Sequence, residues 1–505
     1  MTNERRKFVP TWFLTMSQIF FLMLIFCWPL GTRLQWLGEF SYLGGVISDL
    51  TTYFVYVTDI LLVLVILGWL IDIAIKFWRY EDWDEWNLNP WQGMVVLFFG
   101  GLAGWGLYST VWAMIDEIAL YKGLRLVGMW WLFAYIVLVV GKNKILIRNT
   151  WLVGLATLGI QAVWGIAQYI KQSGFGLWQL GESILGKTVA GVAKVDVDGE
   201  KIIRAYGSLP HANLFGVFML LGLILILVIL VYSGCGKNFQ FSIFPSRDRT
   251  VAGNFQKISN FQFSKNTSTI ILGVLLGLFL VGMLVSFSRS VWVAGMVIMV
   301  GAIVEMVRRG EVSSPGEGKG KNFQFSIFNF QKISNFQTIL IGLFILLIAT
   351  GLNWKVVMGR SSLDVGNDVS LQVRQVYDQG ADWMIEKFYY GGVGLGNFVL
   401  VLPYFAGKAN LQWWQYQPVH NVFKLVWSEL GVFGYILLIL LMVSIAAMIL
   451  FDDQKKYPKY FWLSVILSMI FLMFFDHYFW DVWQGMMGWA VFLGVMVVGG
   501  SSKKT

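Results

Sequence analysis

Few residues in this chain have the means to do chemistry, and they gather in short stretches. The segment PVHNVFKLVWSELGVFG, residues 418–434, puts His420, Asn421, Lys424 and Glu429 at the threshold of a long apolar run. Pro418 suits the first position of a helix. His420 and Asn421 are therefore expected in its first turn, where unpaired N–H groups and the positive end of the helix dipole attract anions such as phosphate. At about 100° per residue, Lys424, Trp427, Gly431 and Gly434 fall on the His420 face and Glu429 on the opposite one. Glu429 then reads as a partner for a neighbouring helix rather than the group that orients His420. A histidine in such a place titrates near neutrality and can take a proton from a hydroxyl. The plainer reading is a packing histidine that has found a hydrogen bond.

Other stretches supply cations. KVDVDGEKIIRAYGSLPHANLFG, 194–216, carries Arg204 just ahead of Pro210, His211 and Asn213. Asp198-Gly199 between two β-branched runs predicts a hairpin that pairs Asp196 with Lys201; the alternative, a calcium loop, lacks the remaining ligands of an EF-hand. SFSRSVWVAG, 286–295, sets Arg289 among serines between two apolar runs, where it either pairs with a ligand or snorkels to the interface. In SLQVRQVYDQGADWMIEKFYYGGVGLGNF, 370–398, the spacing of Leu371, Tyr377, Ala381, Met384 and Ile385 predicts a surface helix bearing Arg374 and Asp378 one turn apart, ended by a glycine-rich turn without nucleotide-loop spacing. Asp476, His477 and Asp481 stand together in FFDHYFWDVWQG.

The elements that must hold these residues follow from composition. The chain has 505 residues, 57% hydrophobic and 13% charged, with a net charge of +9. That composition describes an all-α, polytopic transmembrane helix bundle. Apolar runs close to the about 20 residues that cross a bilayer lie at 11–31, 53–75, 91–110, 123–141, 150–170, 211–233, 269–286, 291–307, 338–352, 421–451, 460–480 and 484–499, which gives about 12 spans in a single membrane domain. Lys and Arg collect on the side of the N-terminus, so both termini are expected in the cytoplasm, the first run acting as a retained signal anchor, and the positive charge is a topology signal rather than a nucleic-acid footprint. Loops 171–210 and 353–419 then face outward, the latter with surface helices between spans 9 and 10, while 234–268 and 309–337 face inward. The inward loops share duplicated text, GKNFQFSIF at 236–244 and 320–328 and NFQKISNFQ at 254–262 and 329–337, read as tolerated insertions away from any outward site. Cys27 and Cys235 offer neither a disulfide nor a thiolate metal site. Asp59 is the one charge placed deep in a span.

Taken in order, R-A-x-G-x-x-x-H-x-N at 204–213, S-R at 288–289, Arg374 with the G-x-G-x-G-N-F segment up to 398, and H-N-x-x-x-x-x-x-E-x-G-x-x-G at 420–434 resemble the O-antigen ligase and polymerase superfamily of bacterial membranes. The likeness runs from about 200 to the C-terminal region; the first five spans match in hydropathy alone, and the inward insertions and DHYFWD depart from the pattern. It implies a glycosyltransferase of the C type that works at the outer face of the cytoplasmic membrane on a polyprenyl-diphosphate-linked glycan, with no metal and no cofactor. Arg204 and Arg289 would bind the diphosphate and His420 would act on the acceptor hydroxyl of a lipid, glycan or protein. Arg374 matches a family arginine, and His211, Asn421 and Lys424 are further candidates. Guanidinium groups can stabilise the charge that develops on a departing diphosphate. Ligase and polymerase remain equal alternatives. A lipid-linked glycan transporter, which needs broken helices near the midplane, is the reading from another class.

Overall fold

Apolar segments in lipid must satisfy their backbone groups internally, which coiling into helices does. A computed structural model of the protein describes residues 11–43, 45–79, 88–233, 265–311, 333–361, 369–406, 415–451 and 458–499. Its helices, in chain order, are α1 (Trp12–Cys27), α2 (Val57–Trp78), α3 (Pro90–Tyr108), α4 (Asp116–Leu138), α5 (Lys144–Lys171), α6 (Ala212–Ser233), α7 (Lys265–Val285), α8 (Arg289–Glu311), α9 (Ile333–Leu352), α10 (Trp354–Ser361), α11 (Val369–Lys387), α12 (Phe398–Ala406), α13 (Val422–Phe451), α14 (Lys459–Phe475), α15 (Tyr478–Asp481) and α16 (Trp483–Gly499). Eight of them (α2 to α8 and α13) contain stretches long and apolar enough to cross a membrane, and α1, α9, α14 and α16 hold shorter apolar ones. Strands are short and pair antiparallel: β1 (Arg33–Trp36) with β4 (Tyr53–Tyr56), β2 (Tyr42–Leu43) with β3 (Val46–Ile47), and β5 (Lys194–Val197) with β6 (Glu200–Ile203). The duplicated text at 236–244, 254–262 and 320–328 lies outside the described residues.

The chain forms two compact units, one of residues 1–157, 367–448 and 473–505, the other of 158–366 and 449–472. In the first unit α1 packs on α2, and α4 on α3 and α16. Polar side chains tie these helices together where the bilayer offers no water: Ser17 Oγ donates to Val65 O at 2.8 Å, Gln92 Nε2 to Val497 O at 3.0 Å, and Trp483 Nε1 to Thr58 Oγ1 at 2.8 Å. Asp59 pairs with Arg125 at 2.9 Å inside a ring of Tyr56, Tyr121 and Trp483. It lies in the first turn of α2 and is not the only charge at depth, since Asp72 and Glu429 are buried in this unit and Glu305 in the other. Each of them has bonding partners, and local pairing lets a carboxylate sit where hydropathy alone predicts none.

In the second unit α6 is apolar all round and almost wholly enclosed, as a central helix should be. Gly273 and Gly277 of α7 let Ile341 and Ile345 of α9 approach closely. Asp198 and Gly199, both at positive φ, form the turn between β5 and β6 and set Asp196 opposite Lys201.

Candidate active site

The segment before α13 does not begin its helix where Pro418 suggests. Val422 is the first helical residue, and Asn421 caps it by accepting from the N–H groups of Phe423 at 2.9 Å and Lys424 at 3.1 Å. His420 therefore stands ahead of the helix rather than in its first turn. Lys424 is committed elsewhere, to Asp382 at 2.9 Å and Asp378 at 3.3 Å on α11.

Around His420 the first unit assembles a cluster from three elements. His420 Nδ1 lies 3.3 Å from Asp476 Oδ1, in the link between α14 and α15. The His420 and His477 rings meet edge to face with centroids 4.9 Å apart, and His477 Nδ1 sits 2.7 Å from Asp481 Oδ1. Tyr478 OH donates to Asp476 Oδ2, and the His477 N–H to Asp476 Oδ1 at 3.0 Å. The Tyr377 ring of α11 lies tilted beside His420 with centroids 6.0 Å apart, and Arg374, one turn back, is near enough to act on both imidazoles. The His420 side chain keeps 15% exposure, against 8% each for Asp476 and His477, so it is the most open of these three to a ligand.

The surroundings shift the two histidines in opposite directions. Burial, helped by the charges of His477 and Arg374, lowers the pKa of His420 in spite of Asp476. Burial also acts to lower that of His477, but the Asp481 and Asp476 carboxylates outweigh it and raise the pKa above the ordinary value. The two imidazoles are thereby shifted in opposite directions, the pattern by which proteins separate acid from base.

Below the cluster α13 breaks. Gly431 has φ 66° and ψ −171°, outside the helical region, and the 389–397 turn fills the gap. Val393 N–H donates to Ser428 O and Gly394 N–H to Glu429 O, each at 2.9 Å, and Val432 N–H to Tyr389 O at 2.8 Å. A Cβ on Gly431 would lie 2.0 Å from Tyr390 O, so this glycine admits backbone and leaves no open notch beside His420. Glu429 accepts from Trp480 Nε1 of α15 at 2.9 Å.

Arg204, Arg289 and His211 belong to the second unit. Arg204 is buried, its Nε donating to Ser286 O at 2.5 Å and a terminal amine to Asn213 Oδ1. The loop bearing it is clamped to α5: Gln168 Oε1 accepts from Gly207 N–H at 2.8 Å, and Gln168 Nε2 donates to Glu182 Oε1 at 2.7 Å. His211 is a helix cap, its Nδ1 accepting from Asn213 N–H at 3.2 Å. Arg289 opens α8 directly after a tight turn in which Phe287 takes φ 46°. Among the described residues the Arg289 side chain makes no hydrogen bond or ion pair.

Sequence reasoning therefore missed Asp476 and His477 as neighbours of His420. Their segment, DHYFWD, carried the signal in its paired His and Asp types, but only folding brings a residue 56 positions away to His420. No protein-family model matches the chain, and no curated protein matches it either.

Proposed function

We propose that the protein is a glycosyltransferase of the bacterial cytoplasmic membrane, spanning it about twelve times, that moves a glycan from a polyprenyl-diphosphate donor to an acceptor hydroxyl at the outer face, in O-antigen ligase or polymerase fashion. The observation that carries this reading is the His420–Asp476 pair, 3.3 Å apart on the more exposed side of a buried cluster. With its Nδ1 proton donated to Asp476, His420 keeps a lone pair on Nε2 for the proton of the acceptor hydroxyl. The hydroxyl oxygen then attacks the sugar carbon as the carbon–oxygen bond to the diphosphate breaks, which inverts the anomeric centre. Arg374 adds a cation on the same unit, and the resemblance gives the diphosphate to Arg204 and Arg289.

One observation favours a second reading, transport of the lipid-linked glycan: α13 is discontinuous beside the buried Glu429, as transporter helices often are at their sites. Product analysis separates the two. Vesicles holding the purified protein and polyprenyl-diphosphate glycan are expected to yield glycan on a new acceptor, for a ligase, or a longer glycan on the same lipid, for a polymerase. Donor moved across the bilayer unchanged would instead establish transport.

Arg289→Lys is expected to weaken donor binding nearly as much as Arg289→Ala. A guanidinium fork grips two phosphate oxygens where an ammonium offers a point charge. Loss of a charged hydrogen bond is worth about 1.5–3 kcal/mol, roughly a tenfold to hundredfold rise in donor Kd. Equal donor affinity of the wild-type and Lys proteins would mean that Arg289 only anchors α8 at the interface.

A further inference from the structure

The donor atoms around His420 have the types and spacing of a transition-metal site, a use that the transfer chemistry does not require. His420 Nδ1 to Asp476 Oδ1 is 3.3 Å, His477 Nε2 to Asp476 Oδ1 is 3.9 Å, and one atom from each residue lies within 4.8 Å of the others. Bonds of about 2.0–2.2 Å to a tetrahedral zinc-type ion need donors about 3.4 Å apart. Closing on such an ion takes a side-chain shift of about an ångström, with no change of fold.

The surrounding bonds prepare these atoms. Tyr478 OH occupies Asp476 Oδ2 and leaves Oδ1 between the two histidines. Asp481 Oδ1, 2.7 Å from His477 Nδ1, fixes the ring so that Nε2 is the nitrogen facing Asp476. A carboxylate behind the imidazole is the usual outer support of a metal-bound histidine. Asp481 Oδ2 is buried with no hydrogen-bond partner among the described residues. The carboxylates of Asp476 and Asp481 both act on His477, opposed there by the guanidinium of Arg374, while the ammonium of Lys122 meets Asp481 from another side. Two imidazoles and one carboxylate suit zinc, whereas magnesium and calcium prefer oxygen ligands throughout.

We propose that a divalent ion of zinc type binds His420 Nδ1, Asp476 Oδ1 and His477 Nε2, and that the ion switches the base off. The inhibitory half rests on His420 being that base. A neutral imidazole carries one proton, which beside Asp476 resides on Nδ1. With the ion on Nδ1 the proton moves to Nε2, and the lone pair that would receive the acceptor proton is gone. His477 gives any proton on its Nε2 to solvent as the ion binds.

Calorimetric titration of the purified full chain with Zn²⁺, without donor, tests the site. Wild type is expected to bind one ion, Asp481→Asn about 10–100-fold more weakly, and His477→Gln more weakly still. Asp481→Asn keeps all three ligands and serves if His477→Gln does not fold, with the thermal melt of each metal-free variant as the check. No uptake by wild type, or equal affinity in wild type and a folded variant, overturns the site. Because these titrations contain no donor, they stand or fall apart from the glycosyltransferase reading. With donor and acceptor present, Zn²⁺ is expected to stop transfer and a chelator to restore it; undiminished transfer by the Zn²⁺-loaded protein overturns the inhibitory half.

Discussion

His420→Ala is expected to bind polyprenyl-diphosphate glycan as wild type does while its turnover falls about 10²–10⁴-fold, the usual loss on removing one general base. Donor should accumulate unreacted in reconstituted vesicles, since the arginines given to the diphosphate are untouched. Asp476→Asn should reproduce much of that loss although the base itself remains. An asparagine amide can turn its N–H groups toward His420 Nδ1, which drives the imidazole proton to Nε2 and leaves the base in the wrong tautomer. Parallel measurements of donor affinity and single-turnover rate in the two variants check this. Wild-type turnover by His420→Ala would remove His420 from the mechanism and turn attention to His211 and His477.

Gly431→Ala is expected to damage the fold severely. The added Cβ would meet Tyr390 O at 2.0 Å and the N atom of Gly391 at 2.6 Å, both backbone atoms, at a residue with φ +66°. A non-glycine residue in such a conformation costs about 1–3 kcal/mol before any clash is counted. The overlap must also push the 389–397 turn off α13, releasing the bonds from Val393 and Gly394 to Ser428 O and Glu429 O. A thermal melt in detergent should show a large fall in midpoint or an aggregated product. Gly104→Ala in α3 is the control, because a Cβ there meets nothing within 4 Å and alanine favours the helix. Equal melts for the two variants would mean that the break in α13 tolerates a side chain.

Much of the helical framework was legible because apolar runs and helix formation in lipid share one cause, the need to satisfy the backbone without water. The β5–β6 hairpin was legible for a local reason: Asp198-Gly199 fixes both turn type and register, so Asp196 meets Lys201. The surface helix through Arg374 was likewise visible in its apolar spacing, and α11 buries Tyr377, Ala381 and Met384. The neighbourhood of His420 was not legible. A wheel drawn from Pro418 through Gly434 assumes an unbroken helix, but Asn421 starts α13 later and Gly431 interrupts it, so face assignments across that point lose their meaning. Asp476 and His477 come from a distant segment, and pairing across 56 positions leaves no periodic trace in one sequence. Arg374 and His420 were both singled out, yet their proximity depends on how α11 lies against the start of α13.

The interruption of α13 also fixes how much of it the bilayer can hold. As one continuous rod its 30 residues would measure about 45 Å, half as long again as a hydrocarbon layer of about 30 Å. The piece that follows Gly431, 432–451, has 451 − 432 + 1 = 20 residues and a length of about 30 Å, which matches that layer without tilt. If 432–451 fills that layer, the break would stand at its boundary and leave 422–430 as a short separate helix beyond it. His420, which precedes that short helix, would then lie on the polar side of the boundary, where the proposed transfer needs its base.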